Sequence, residues 1–495
     1  MTAVASEATV APGRAVDGRT RMVPLAVFAG AVALAVALSF RVARGQALLA
    51  ARWSLLAELG LWAVAWLAAV VAAFRLPKRV ALWLVIGAAL AVRLAALAGP
   101  PVTSDDLFRY SWDGRVQAAG IDPYRFPPQA TALAGLREPW LWPEQRPCPL
   151  AYRPGACTRI NRSWAPTIYP PAAESFFAAV YRVTGIDARH KPWQVAGLAT
   201  DVAVVALLAA GLRRRGKDPR WAALYALCPA PVLEIVNNGH VDGLAILLSV
   251  AALTVASPPP EGVAGWPPAR REVLAGGLVG LAILVKLYPA LLIVAIAAGS
   301  PDSRRRSLRR VGGTALGVCV AGYLPHVVAV GHRVIGFLPG YFREEHYDGA
   351  GRYLVAGAAR LPGGLAAVAS ALAVVAALAW VWHRRPPAAL GATVLMGTLL
   401  AATSPVQPWY AVTLLAFAAL AVEPQWAALT VAGYPYFFAV ILIHPHQIGI
   451  GQLAYGTAAV VVGAIAFARR AVLRRSGSLA GAWAGPKWAR PAGPV

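Results

Sequence analysis

Lysine is nearly absent from this 495-residue chain: five of its 46 basic residues are lysine, at positions 78, 191, 217, 286 and 487. Acids are also scarce, 22 in all, so the net charge is +24. Only four cysteines occur. Cys148 and Cys157 have no second Cys or His pair beside them, which excludes the common metal-finger spacings. The N-terminus lacks the layout of a cleaved signal peptide. Residues 1–21 are polar, and Arg14, Arg19 and Arg21 flank the first apolar run, which reads as an uncleaved first span with the N-terminus inside. No polar stretch is long enough for a separate soluble domain. No inverted internal repeat of the kind found in many transporters is visible.

What is present is apolar. The chain is 58% hydrophobic, and runs of spanning length recur at about 22–40, 55–74, 80–99, 193–212, 221–237, 241–257, 273–285, 287–299, 312–331, 364–382, 388–403, 408–422, 426–443 and 453–470. These predict an all-α polytopic membrane protein of about 12–14 transmembrane helices with a large first extracytoplasmic loop. The runs 273–285 and 287–299 each cover only about 20 Å as helix, too short to cross. They predict a hairpin entering from the cytoplasm with Lys286 at its turn.

The positive charge does not point to nucleic acid. It sits in short clusters between apolar runs, such as Arg213-Arg214-Arg215, Arg304-Arg305-Arg306 and Arg469-Arg470. That is the positive-inside pattern, and such clusters attract anionic lipid heads. Placing them inside gives a multi-pass plasma-membrane protein with cytoplasmic tails at 1–21 and 476–495. A single transmembrane domain then covers 22–475, and residues 100–192 form the outer loop. Within that loop, Ile168 to Val183 predicts an amphipathic helix opened by Tyr169-Pro170-Pro171. Cys148 and Cys157, with Pro149, Pro154 and Gly155 between them, are placed for a disulfide in an oxidising compartment, two free thiols being the alternative. Cys228 and Cys319 lie in apolar runs and read as buried packing residues.

The densest polar cluster runs from Ser104 through Asp105, Asp106, Arg109, Tyr110, Trp112, Asp113 and Gly114 to Arg115, just past Pro100-Pro101. Charge is costly beside hydrocarbon, so a cluster at a membrane boundary points to a site. Adjacent carboxylates repel, which raises the proton affinity of one unless a cation lies between them. On a helix, Asp105, Arg109 and Asp113 share a face. The plainer reading is a capping acid followed by an intrahelical ion pair. A second cluster, Glu234 to Asp242, contains Asn237, Asn238, Gly239 and His240 at the outer junction of two runs. A third is Lys286-Leu287-Tyr288-Pro289, where a lysine inside an apolar run stands out in so lysine-poor a chain. Its compact ammonium suits a phosphate, snorkelling being the alternative. Gln407, Trp409 and Tyr410 suit stacking on a sugar ring or ordinary interfacial anchoring. Within the spans, Asp201 reads as the partner of a neighbouring helix, and Arg93 either snorkels or reaches the site. His444 and His446 read as bystanders.

These segments, SDDLFRYSWDGRVQAAGIDPYRFPP at 104–128, NNGHVDG at 237–243, VKLYP at 285–289 and SPVQPWY at 404–410, resemble the multi-spanning C-type glycosyltransferases. The likeness is to bacterial polyprenol-phosphate-mannose-dependent mannosyltransferases of cell-envelope assembly. The larger extra-membrane C-terminal domain that some members carry has no match here. The resemblance implies transfer of a hexose, mannose by resemblance alone, from a polyprenyl-phosphate donor to a glycan or glycolipid acceptor at the extracytoplasmic face. Carried over, the catalytic base is Asp105 or Asp106, between which the sequence does not choose. The donor phosphate falls to Arg109, Arg115 and Lys286. Substrate contacts fall to Tyr110, Trp112, Asp113, Asn238, His240, Asp242, Tyr288, Gln407 and Trp409. A lipid-monophosphate donor lacks the pyrophosphate that recruits a metal, so no cofactor is expected. Asp105 and Asp106 with His240 are the set that would hold a divalent ion. Two rivals are a flippase for lipid-linked sugar and a non-catalytic subunit of an envelope assembly complex. The flippase needs polar residues along a full crossing path, whereas the inner halves of the spans are nearly all Ala, Leu, Val and Gly.

Overall fold

A computed structural model describes residues 18–45, 52–143, 150–153, 156–185, 189–259, 263–345 and 352–475. Cys148, most of the expected N-terminal tail and the expected C-terminal tail lie outside the described residues. The apolar runs become helices α1 (Gly18–Arg44), α2 (Arg52–Arg75) and α3 (Lys78–Ala96). The 100–192 region contributes α4 (Asp106–Ala118) and α5 (Pro171–Thr184). The bundle resumes with α6 (Lys191–Arg214), α7 (Asp242–Ala256), α8 (Pro268–Ile283), α9 (Leu291–Gly299) and α10 (Arg304–Val330). It closes with α11 (Gly363–Arg384), α12 (Ala388–Ala402), α13 (Pro408–Ala421), α14 (Ala427–Ile441) and α15 (Gln447–Arg475). Seven helices are long and apolar enough to cross a membrane, and four shorter apolar helices accompany them. The protein is an all-α, polytopic, membrane-integral chain. Among the described residues the only strands are β1 (Leu150–Arg153) and β2 (Ala156–Thr158), a small antiparallel pair.

The run at 221–237 does not form the expected span. Pro219, Pro229 and Pro231 withhold backbone donors, and the chain passes through short helical turns into a wider π-helical turn at Val232–Asn237. Irregular backbone at membrane depth survives only where protein satisfies it. Arg93 of α3 supplies part of that cover. Its guanidinium donates to the Ala226 carbonyl and to Asp201 of α6, and Tyr225 donates to the other Asp201 oxygen. Arg93 and Asp201 are both fully buried. Arg93 therefore neither snorkels nor reaches the site; it pins α3, α6 and the broken segment together.

Above the bundle, α4 packs closely on α5. A Cβ on Gly114 would fall 2.6 Å from the Phe177 carbonyl oxygen, so only glycine permits this approach. Leu107, Tyr110, Tyr169, Phe177 and Trp193 form a buried cluster that also takes in Val241 of the loop before α7. Tyr110 stacks flat on Phe177 at 4.3 Å. Trp112 belongs to a second cluster with Val116, Leu133, Leu141 and Trp142. Arg109 bonds both Asp113 carboxylate oxygens through Nε, at 2.9 and 2.8 Å, and the Ala165 carbonyl through Nη1. Beside them, burial and the nearby Asp113 carboxylate lift the Glu174 carboxyl well above its usual range.

The short runs 273–285 and 287–299 form a hairpin, α8 and α9, with Lys286 at its turn. The first turn of α5 docks on it, since the Ala172 and Ala173 amides both donate to the Leu284 carbonyl. This contact fixes the lysine under the 100–192 region.

Asp201→Asn should strand the Arg93 charge in an apolar interior, at a cost of about 3–5 kcal/mol. A clear drop in the thermal unfolding midpoint in detergent is expected. The double change R93L/D201L should recover part of that loss, because it removes both charges together.

Candidate active site

Three separate stretches of chain meet around Asp106, Tyr169 and Asp242. The carboxylate pair sits at the start of α4, with Asp105 in the N-cap position and the Ser104 hydroxyl accepting from the Asp106 amide. The Asp105 side chain makes no cap bond. Instead Asn161 bridges the pair: its Nδ2 donates to Asp105 Oδ1 at 2.7 Å and to Asp106 Oδ1 at 2.8 Å. The amide thus occupies the position where a cation would otherwise relieve the repulsion. Burial, followed by the neighbouring Asp106 charge, pushes the Asp105 carboxyl up to about 6.

The second stretch is the turn after the broken segment. Gly239 adopts φ +69° there, against the backbone of Trp193, and this turn brings His240 back toward α4. His240 lies flat on Trp409, with ring centres 4.2 Å apart and planes 20° from parallel. Its Nδ1 is 3.6 Å from Asp106 Oδ2 and its Nε2 is 3.6 Å from Glu234 Oε2. Both distances exceed hydrogen-bond length, and both ring nitrogens are buried without a hydrogen-bond partner. Glu234 is held by Tyr434, which donates at 2.9 Å, and by Asn238 at 3.0 Å. The Asn238 oxygen in turn accepts from the Val102 and Thr103 amides, fixing the approach to α4.

The third stretch is the hairpin turn. Lys286 Nζ lies 3.3 Å from Asp242 Oδ2 and 5.2 Å from the ring centres of both Tyr169 and Tyr410. Two aromatic faces and one carboxylate hold the ammonium in place, each face contributing about 0.5–2 kcal/mol. Tyr288 donates to Asp242 at 3.5 Å and meets Thr413 at 2.8 Å. Tyr169 joins the three stretches. Its hydroxyl donates to Asp106 Oδ2 at 3.3 Å, while its ring faces Lys286.

The structure therefore brings Asp105, Asp106, His240, Asp242, Lys286, Tyr288 and Trp409 into one constellation. It does not bring Arg109, Asp113, Arg115 or Trp112 there. Arg109 and Asp113 satisfy each other in the interior, Arg115 pairs with Glu138 at 3.0 Å, and Trp112 is 1% exposed in its own cluster. These four are corrections to the expected phosphate and substrate contacts, because burial of that face of α4 turns its charges inward. Tyr110 backs Tyr169 from behind, with their hydroxyls 3.5 Å apart. Asn238 braces backbone, and Gln407 reaches Glu345 at 3.5 Å. Cys157 is disulfide-bonded, whereas Cys228 and Cys319 are free thiols. His444 meets Trp53 edge-on. Among the described residues no group of three or more His, Cys, Asp and Glu side chains is arranged to hold a metal ion.

Sequence reasoning missed Asn161, Tyr169, Tyr434 and Arg162 as site residues. Arg162 binds Glu344 at 2.6 Å and lies near enough to act electrostatically on Asp105 and Asp106.

Residues 167–405 match the model of glycosyltransferase family 87. The match supports a membrane glycosyltransferase. It covers Tyr169, Glu234, His240, Asp242 and Lys286; Trp409 lies just past its end, and Asp105 and Asp106 lie well before its start. No curated protein matches the chain.

Asp105 gives a signed pH dependence of stability. Its folded proton affinity exceeds its usual one, so the folded chain retains a proton that the unfolded chain releases between about pH 4 and pH 6. Stability should therefore fall as pH rises through that window. Asp105→Asn should flatten this part of the curve of unfolding midpoint against pH, and an unchanged slope would remove the assignment.

Proposed function

We propose that the protein transfers a hexose from a polyprenyl-phosphate sugar to a glycan or glycolipid hydroxyl. The observation that carries this reading is Tyr169, whose hydroxyl donates to Asp106 of the carboxylate pair while its ring faces Lys286. A membrane glycosyltransferase needs a base for an incoming hydroxyl and a cation for a departing phosphate, a few ångströms apart.

In this reading the donor's lipid tail stays in the bilayer and its phosphate meets Lys286. Asp242, Tyr169 and Tyr410 hold the ammonium in position. Asp105 is our choice for the base, since its raised proton affinity suits acceptance near neutrality. Asp106, held by Asn161 and Tyr169 and facing His240, fixes its neighbour. The acceptor oxygen forms the new bond to the anomeric carbon and gives its proton to Asp105. The bond from that carbon to the phosphate oxygen breaks, and the phosphate leaves with the electron pair. Lys286, with Arg162 at the rim, stabilises the charge that develops there. Trp409, half-buried and backed by the stacked His240 ring, offers a flat wall to the sugar. Mannose is our choice of sugar, on the resemblance alone. The arginine clusters favour a cytoplasmic arginine end, which would put this site on the extracytoplasmic side of the plasma membrane. We further propose that the reaction runs without a metal.

The test uses purified protein in liposomes with polyprenyl-phosphate mannose and a mannoside acceptor. Asp105→Asn should lower kcat by about 10²–10⁴-fold, and Lys286→Gln should weaken both donor KM and kcat. EDTA should leave the rate unchanged. Full transfer by D105N, D106N and the double variant would overturn the base assignment. Movement of the lipid-linked sugar across the bilayer without transfer would instead mark a flippase.

A further inference from the structure

The arginine-rich end of the bundle has its own unassigned feature. The arginines there are either spent on neighbours or, like Arg213, Arg305 and Arg309, exposed to solvent. Arg220 binds Asp218 and the Phe74 and Leu76 carbonyls, and Arg215 binds the Leu420 carbonyl. Arg304 binds the Trp382 carbonyl, Arg310 binds Glu272 and Asp302, and Arg385 binds the Ser300 carbonyl. Such bonds cap helix ends or neutralise acids.

Two arginines do not follow this pattern. Arg271, in the first turn of α8, is only 4% exposed, yet its Nε and Nη1 are buried without a hydrogen-bond partner among the described residues. Arg214, at the end of α6, has a buried Nε in the same condition. They are close enough for Arg214 to act on Arg271 as a like charge. The adjacent acid, Glu272, is already taken by Arg310 at 2.9 Å and by the Ser300 hydroxyl at 2.6 Å. Arg214 also lines a cavity of about 470 Å³, together with Thr254, Val255, Ala264, Gly265 and Trp266. A buried guanidinium with unsatisfied donors is costly, and two side by side more so. An anion in the cavity offsets the repulsion between the two charges and bonds the Arg214 guanidinium, whose fork matches phosphate geometry.

We propose that this cavity is a phosphate-binding site, at the end of the bundle opposite the Asp105–Asp106 pair. The 24-residue α6 separates the two, with Trp193 at its start in the Tyr110 cluster and Arg214 at its end. Arg214 at the cavity wall donates to the phosphate oxygens, Arg271 behind it adds its positive charge, and Trp266 walls the portion attached to the phosphate. A phospholipid headgroup and a free diphosphate both present this chemistry. The site does not depend on the proposed transferase reaction.

The test measures two ligands on the full-length protein after delipidation in a neutral detergent. Native mass spectrometry counts retained phosphatidylglycerol, and thermal unfolding reads the shift caused by inorganic pyrophosphate. The wild type should bind at least one of them, with R214Q/R271Q losing about tenfold or more in affinity. Ala264→Trp fills the cavity without changing charge and should give the same loss, which separates a binding defect from a folding one. The variant R305Q/R306Q, in a neighbouring cluster, should bind normally. Binding of phosphatidylglycerol alone assigns a lipid headgroup, and binding of pyrophosphate assigns a soluble phosphate ligand. Equal behaviour of wild type, R214Q/R271Q and A264W would overturn the proposal, as would an equal loss in R305Q/R306Q.

Discussion

The interrupted helix between α6 and α7 is the constraint on which the site depends. A helix running on unbroken from 221 would stack Glu234, Asn238 and Asp242 along one straight face of a cylinder, with nothing to fold His240 back over α4. The prolines break that cylinder, and Gly239 folds its upper end back toward α4. Irregular backbone inside a membrane needs partners. The sequence supplies them from outside the segment: Arg93 takes the Ala226 carbonyl and Gln194 takes the Asn237 carbonyl. Asn237 in turn reaches the Ala96 and Pro100 carbonyls and the Val102 amide. These bonds do two jobs. They make the break tolerable, and they tie it to the strand of chain that leads into Asp105 and Asp106.

The hairpin of α8 and α9 solves a related problem. A lysine is costly at depth in an apolar bundle, yet a compact, mobile cation is useful there. Ending two short helices at Lys286 leaves its ammonium at the edge of the constellation, where Asp242 and two tyrosine rings compensate it. The α5 amides that bond Leu284 then set the height of Tyr169 over the lysine. One docking contact therefore aligns a cation from the bundle with carboxylates from the loop region above it.

How much of this was legible in the sequence depends on range. The helices follow from apolar runs, because burial in lipid or protein leaves a local, periodic trace. The hairpin was legible from length alone. The Asp pair, His240, Asp242 and Lys286 stand out because each is chemically out of place in its own stretch. Asn161 and Tyr434 are not out of place anywhere, and only the fold brings them to Asp105, Asp106 and Glu234. Tyr169 read as the opening of a helix before two prolines, which is its local role. Arg109 and Asp113 show the opposite failure. Their helical spacing placed them on the face of Asp105, but that face packs under Ala165, and the ion pair closes on itself.

Charge in this protein is governed by what it costs to leave it unmatched. At the carboxylate end the mismatch is plain: Asp105 carries extra proton affinity, and His240 has two buried nitrogens at 3.6 Å from acids, too far to bond. At the arginine end several guanidiniums have a carbonyl or an acid, and others are exposed to water, so the cost is met by local capping or by solvation. Residual mismatch is therefore informative in proportion to its burial. An exposed arginine without a partner is solvated and says nothing, whereas His240, at 1% exposure, has no water to fall back on. The same reasoning that picks out the candidate constellation from its unsatisfied imidazole applies to any other buried donor in the chain, because desolvation makes no distinction between a catalytic group and a structural one.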